Sequence, residues 1–86
     1  MTIRKQLVKR EIAGDVILVP VGDASLTLQG LLTLNETGEL LWDTLPNAAD
    51  EAALVRALTE AYEVDEATAQ ADVRAFMARL RELEIL

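Results

Sequence analysis

Residues 32–45 read LTLNETGELLWDTL. A strand-like run, Leu32-Thr33-Leu34, meets Asn35, and a helical pattern begins at once. Gly38 falls inside what becomes the first helical turn. One possible use of such a glycine is a phosphate-binding loop. That loop needs several glycines, so that backbone N–H groups can approach an anion, and usually a lysine. Here there is one glycine, no Lys or Arg between positions 11 and 55, and the neighbouring Glu36 and Glu39 repel anions. The reading that remains is structural: Gly38 lets a strand-to-helix junction close tightly, at about 1 kcal/mol of helix propensity relative to Ala.

Elements extend outward from this junction. Upstream, Leu26, Leu28, Leu32 and Leu34 alternate on one face, with Gly30 at its middle position, and Thr27, Gln29, Leu31 and Thr33 on the other. Period two predicts a strand with one buried and one mixed face. Before it, Leu7 to Ala13 and Val16 to Val19 flank the turn dipeptide Gly14-Asp15, and Pro20 ends the second run. These predict a hairpin. Downstream, Asn35 is a good N-cap, and Leu40, Leu41, Trp42 and Leu45 form an apolar stripe that stops at Pro46. Asp50 caps a second helix with Leu54, Val55, Leu58, Ala61 and Tyr62. Asp65 caps a third, in which Ala69, Val73, Phe76, Leu80 and Leu83 step by fours and threes along a packing face. Three strands followed by three helices predict an α+β fold: an antiparallel sheet with helices on one face, the ingredients of a winged helix-turn-helix.

Composition narrows the function. The 86 residues suit one domain, residues 1–86, which buries only roughly two-thirds of its unfolded surface. With 51% hydrophobic residues but one Trp, one Tyr and one Phe, the core must be aliphatic, and little room is left for a cofactor. There is no Cys and no His. Disulfides, thiolate chemistry, zinc sites and the usual neutral-pH general base are thereby removed. No apolar run reaches the ~18 residues of a membrane span, and the N-terminus lacks a signal-peptide segment. A reducing cytoplasm suits this composition.

The paired carboxylates Asp65-Glu66, Asp50-Glu51 and Glu82/Glu84 sit at helix ends or on polar faces, where capping and solvation account for them. Ser25 has no histidine to activate it. No catalytic residue, metal site or cofactor site is expected, and the chain is not expected to be an enzyme.

Net charge is −7, but Arg4, Lys5, Lys9 and Arg10 cluster at the start, leaving 4 bases and 15 acids in residues 11–86. The basic cluster reads as a solvated tail. Arg74, Arg79 and Arg81 in the third helix are offset by Asp72, Glu82 and Glu66. An acidic body repels nucleic acid, which argues against a winged-helix DNA-binding regulator. A third strand at the sheet edge would leave N–H and C=O groups free to pair with an incoming strand, from a peptide partner or from a second copy in a homodimer.

Three stretches, REIAGDVILVPVG, LTLNETGELLWDTL and YEVDEATAQADVRAFMARLRELEIL, resemble the PqqD family over roughly Lys9 to Leu86. The strongest elements are Leu34-Asn35-Glu36-Thr37-Gly38 followed by Trp42, and the Tyr62-x-Val64-Asp65 lead into the last helix. The resemblance implies a winged helix-turn-helix-like fold and a recognition element for ribosomally made, modified peptides. In that role the domain binds the leader of a precursor peptide as a strand added to the third strand, beside the third helix. It presents the peptide to a modifying enzyme, commonly a radical SAM enzyme, and does no chemistry itself. Carried onto this chain, Thr27, Leu28, Gln29, Gly30, Leu31, Leu32 and Thr33 form the pairing strand. The helix from Glu66 to Leu83 forms the other wall. Phe76 lies on the core stripe and floors the cleft; Asp72 and Arg79 flank that stripe on one side and Met77 and Gln70 on the other, and the sequence leaves open which flank faces the cleft, with Asp72 and Arg79 the preferred pair. The family often has a glycine after the last helix where this chain has Glu84, so a different helix end is expected here. The short C-terminus suits a stand-alone adaptor.

Overall fold

The computed structural model describes residues 3–23 and 32–86. Among these, three strands precede three α-helices: β1 (Leu7–Ile12), β2 (Asp15–Pro20), β3 (Leu32–Leu34), α1 (Glu36–Thr44), α2 (Glu51–Ala61) and α3 (Glu66–Glu82). A 3-10 turn, Leu45–Asn47, holds Pro46 after α1. The sheet is antiparallel in the order β1-β2-β3, which puts β3 at an edge. This is the expected α+β, winged helix-turn-helix-like arrangement. The expected strand positions Thr27, Leu28, Gln29, Gly30 and Leu31 lie outside the described residues.

The hairpin corrects one boundary. Ile12 pairs with Asp15, so the loop is Ala13-Gly14 rather than Gly14-Asp15. Both loop residues have positive φ, 53° and 86°. That is the backbone of a type I′ turn, whose twist matches the strands it joins. Asp15 is thereby released to start β2. Alternation holds in the described part of β3, where Leu34 is buried and Thr33 is exposed.

All three helices begin with the side-chain cap their sequences offered. The side-chain oxygens of Asn35, Asp50 and Asp65 accept from the N–H groups of Gly38, Ala53 and Thr68, at 2.8, 3.0 and 2.7 Å. Each bond satisfies a donor that the helix itself cannot. The carboxylates of Asp50 and Asp65 are thus structural. Hydrogen bonds from the Thr68 side chain and then the Thr68 backbone hold the Asp65 carboxyl below its usual pKa.

The core is aliphatic, with Leu18, Leu41, Leu45, Leu54, Leu58 and Leu80 fully buried between sheet and helices. Truncating any of them to Ala costs about 2–5 kcal/mol. On α3 the buried ridge is Ala69, Val73, Met77 and Leu80. This corrects two residues. Met77, expected on a flank, is core, and Phe76, expected on the core stripe, is only half-buried. The two lie on either side of the Val73–Leu80 ridge, and periodicity alone cannot tell which side is covered.

The basic N-terminal cluster is not a free tail. The Arg4 N–H donates to the Ile85 carbonyl at 2.6 Å, and Lys5 Nζ donates to the Leu83 carbonyl at 2.8 Å. Lys5 thereby meets the negative end of α3. Lys9 Nζ lies 2.8 Å from Asp43 and 2.9 Å from Glu39, tying β1 to α1. Hydrogen bonds to Asp43 and then Glu39 raise its pKa.

The end of α3 also differs from expectation. Glu84 adopts the left-handed conformation, with φ of 58°. Its N–H reaches the Arg81 carbonyl at 3.0 Å, and the Ile85 N–H reaches the Leu80 carbonyl at 2.8 Å. This is a Schellman motif, the helix end that glycine usually makes, here closed by a glutamate.

Two outcomes follow. Glu84→Gly removes the strain of a side chain at positive φ and raises stability by about 1 kcal/mol, or roughly 4–8 °C in Tm. The lost approach to Lys5 is long, 4.0 Å, and the Glu84 side chain is exposed, so it contributes little. A thermal melt with an unchanged or lower Tm contradicts this. For Asp65, the fold favours the ionised form. Its contribution is complete above the unfolded pKa of about 3.9 and is lost as pH falls through the lower folded value. Asp65→Asn keeps a capping oxygen but does not titrate, so the variant shows a shallower loss of stability below pH ~3.9 in acid denaturation.

Candidate functional site

The site grows from the junction that opened the sequence. Asn35 takes an extended backbone and its side chain turns back over the helix start. Its Oδ1 accepts from the Gly38 N–H at 2.8 Å and from the Thr37 hydroxyl at 3.1 Å. A Cβ on Gly38 would stand 3.0 Å from that same oxygen and 3.5 Å from the Leu34 side chain. Gly38 is therefore small because the cap and the last strand residue occupy its space. Strand passes into helix with no intervening loop.

This tight passage sets β3 against α3 across an open cleft of ≈ 680 Å³. One wall is Leu32, Thr33, Leu34 and Asn35, with Thr37, Gly38 and Leu41 from the start of α1. The other wall is Asp72, Ala75, Phe76, Arg79 and Leu80 of α3. Asp15 joins from the start of β2, whose next residue, Val16, pairs with Leu34. The floor is apolar and the rim polar, the usual make-up of a binding groove.

Of the expected site residues within the described part, the structure brings Leu32, Thr33, Asp72, Phe76 and Arg79 together in this cleft. Thr27, Leu28, Gln29, Gly30 and Leu31 fall outside that part. On α3, Asp72 and Arg79 line this cleft, Met77 is in the core, and Gln70 lines a separate groove with Val55 and Arg56 of α2. Sequence reasoning gave Leu34, Asn35, Thr37, Gly38, Leu41 and Leu80 only packing or capping roles, and gave Asp15 and Ala75 no place in the cleft. Ala75 shares a helix face with Asp72 and Arg79, a signal readable from i, i+3, i+7 spacing. Asp15 arrives only through the one-residue shift of the hairpin.

The arginines of α3 do not form one basic face. Arg79 lines the cleft, 3.9 Å from Glu82; Arg81 is 3.8 Å from Glu51 on α2; Arg74 lines a groove beside α2 with Val55 and Gln70. Among the described residues, no group of three or more Asp, Glu, His or Cys could hold a metal ion, and no helix is long and apolar enough to cross a membrane.

Fold and cleft together define a small α+β domain with an exposed edge strand beside an apolar-floored groove. Residues 15–86 match the family model for coenzyme PQQ synthesis protein D, and the chain belongs to the PqqD family. It is also similar to a solved structure, TbiB1 in complex with the TbiA(beta) leader peptide, at 26% identity and a TM-score of 0.75, over 100% of this chain and 94% of that one. No curated protein matches the chain.

Asn35→Ala removes the cap at the junction and costs about 1 kcal/mol of stability. Chemical denaturation measures this, and a loss under about 0.3 kcal/mol contradicts the role given to the cap.

Proposed function

We propose that this chain is an adaptor that binds the leader of a ribosomally synthesised precursor peptide and presents it to a modifying enzyme, a radical SAM enzyme, in the cytoplasm. The observation that supports it most is the open cleft between edge strand β3 and α3. Membership of the PqqD family and the likeness to a protein solved with a leader peptide point the same way.

In this reading the leader adds to the sheet beside β3. Backbone hydrogen bonds supply sequence-tolerant affinity, and alternate side chains enter the groove toward Phe76, Leu41 and Leu80. A micromolar to sub-micromolar complex, about 8–10 kcal/mol, is the expected range. The chain contributes no chemical step. It raises the effective concentration of the precursor near the enzyme. Self-pairing of two β3 edges competes for the same groups. In that case the protein runs as a dimer by light scattering, and added leader dissociates it.

Ala75 is exposed and lines the cleft, so filling the groove from this position spares the core. Ala75→Trp weakens binding of the leader encoded beside this chain's gene by at least about tenfold in calorimetry, or 1.4 kcal/mol. Ala67→Trp, on an exposed position of the same helix outside the cleft, leaves it unchanged. Equal affinity for both variants places the leader elsewhere.

A further inference from the structure

The cleft has a charge pattern as well as an apolar floor. Three ionisable residues line it, Asp15, Asp72 and Arg79. The side chains of Asp15 and Asp72 make no hydrogen bond or ion pair with any described residue. Arg79 is 3.9 Å from Glu82, with both side chains more than half exposed, so this contact holds it weakly. Both signs are therefore available to an occupant.

Their spacing is informative. Asp72, Phe76 and Arg79 stand at i, i+4 and i+7 and share one face of α3. Seven helical rises separate Asp72 from Arg79, about 10 Å. A strand turns every second side chain to one face, at roughly 7 Å intervals. Three successive inward side chains of an added strand therefore span about 14 Å. The outer two reach Asp72 and Arg79 by leaning inward, while the middle one meets Phe76.

Resting on the leader-binding reading, the geometry points to a charge register in the leader. Its inward side chains read basic, apolar, acidic at positions n, n+2 and n+4, in one chain direction or the other. A Lys or Arg meets Asp72, an apolar side chain packs on Phe76, and an Asp or Glu meets Arg79. The order of the charges sets the direction in which the leader runs along α3. A leader with the charges exchanged meets like charges at both ends and is rejected. The basic position is the stronger requirement. Two of the three ionisable lining residues are acids, and Asp15 adds its charge at the Leu34 end of the cleft.

The test uses the synthetic leader of the precursor encoded beside this chain's gene, titrated into the wild-type protein, Asp72→Arg and Arg79→Glu. Both positions are exposed, and the Tm of each variant verifies folding. The expected result is binding to wild type, a roughly tenfold higher Kd for each variant, and recovery of Asp72→Arg by a leader whose matching basic residue is changed to Glu. A leader that binds wild type while both variants change Kd less than twofold overturns the register and leaves leader binding standing. So does a leader that binds in the cleft without the alternation in either direction. No binding to wild type, or amide shifts confined to the α2–α3 side, overturns both.

Discussion

The passage from β3 into α1 is the constraint on which the site depends. One side-chain oxygen, Asn35 Oδ1, caps the helix at Gly38 and holds the Thr37 hydroxyl, while the missing Cβ of Gly38 leaves room for that oxygen and for Leu34. A longer connection would let β3 and α1 separate. With none, the edge strand enters the helix directly, and the wall of the cleft is one continuous piece of chain from Leu32 to Leu41. The opposite wall is set by burial on α3. Val73, Met77 and Leu80 are locked into the core, and this turns Asp72, Phe76 and Arg79 outward along the groove.

The closing contacts hold the ends of the domain together. The left-handed Glu84 ends α3 and directs Ile85 into the core, while Arg4 and Lys5 fasten the start of the chain to the carbonyls there. In so small a domain, with a thin margin of stability, such links between distant parts of the chain matter more than their individual energies suggest. Lys9, bound to Glu39 and Asp43, does the same between β1 and α1. Four basic residues that look like a solvated tail in the sequence thus include three whose backbone or side chain ties elements together.

Much of this was legible in the residues. Caps at Asn35, Asp50 and Asp65 are short-range chemistry, as are the strand alternation and the stop near Pro46, and each could be read from a few neighbouring positions. The cleft residues Asp72, Phe76 and Arg79 were reached through spacing on one helix combined with family resemblance. What was not legible depended on distant partners. Met77 and Phe76 are adjacent, equally apolar and symmetric about the ridge, so only the packed sheet and helices decide which is covered. The turn at Ala13-Gly14 is set by strand register, since Ala13 adopts a conformation its type seldom takes. Glu84 holds a glycine's place for the same reason: the tertiary contacts of Ile85 outweigh a local preference.

The central claim is that the groove between β3 and α3 receives an extended peptide as an added strand. Amide NMR of labelled protein with the neighbouring precursor's leader tests it most directly. The account predicts inter-strand contacts between leader and the β3 residues Leu32 and Thr33, with shifts running along Asp72 to Leu80. Contacts to the α2–α3 groove around Arg56 and Gln70, with β3 unchanged, would contradict it.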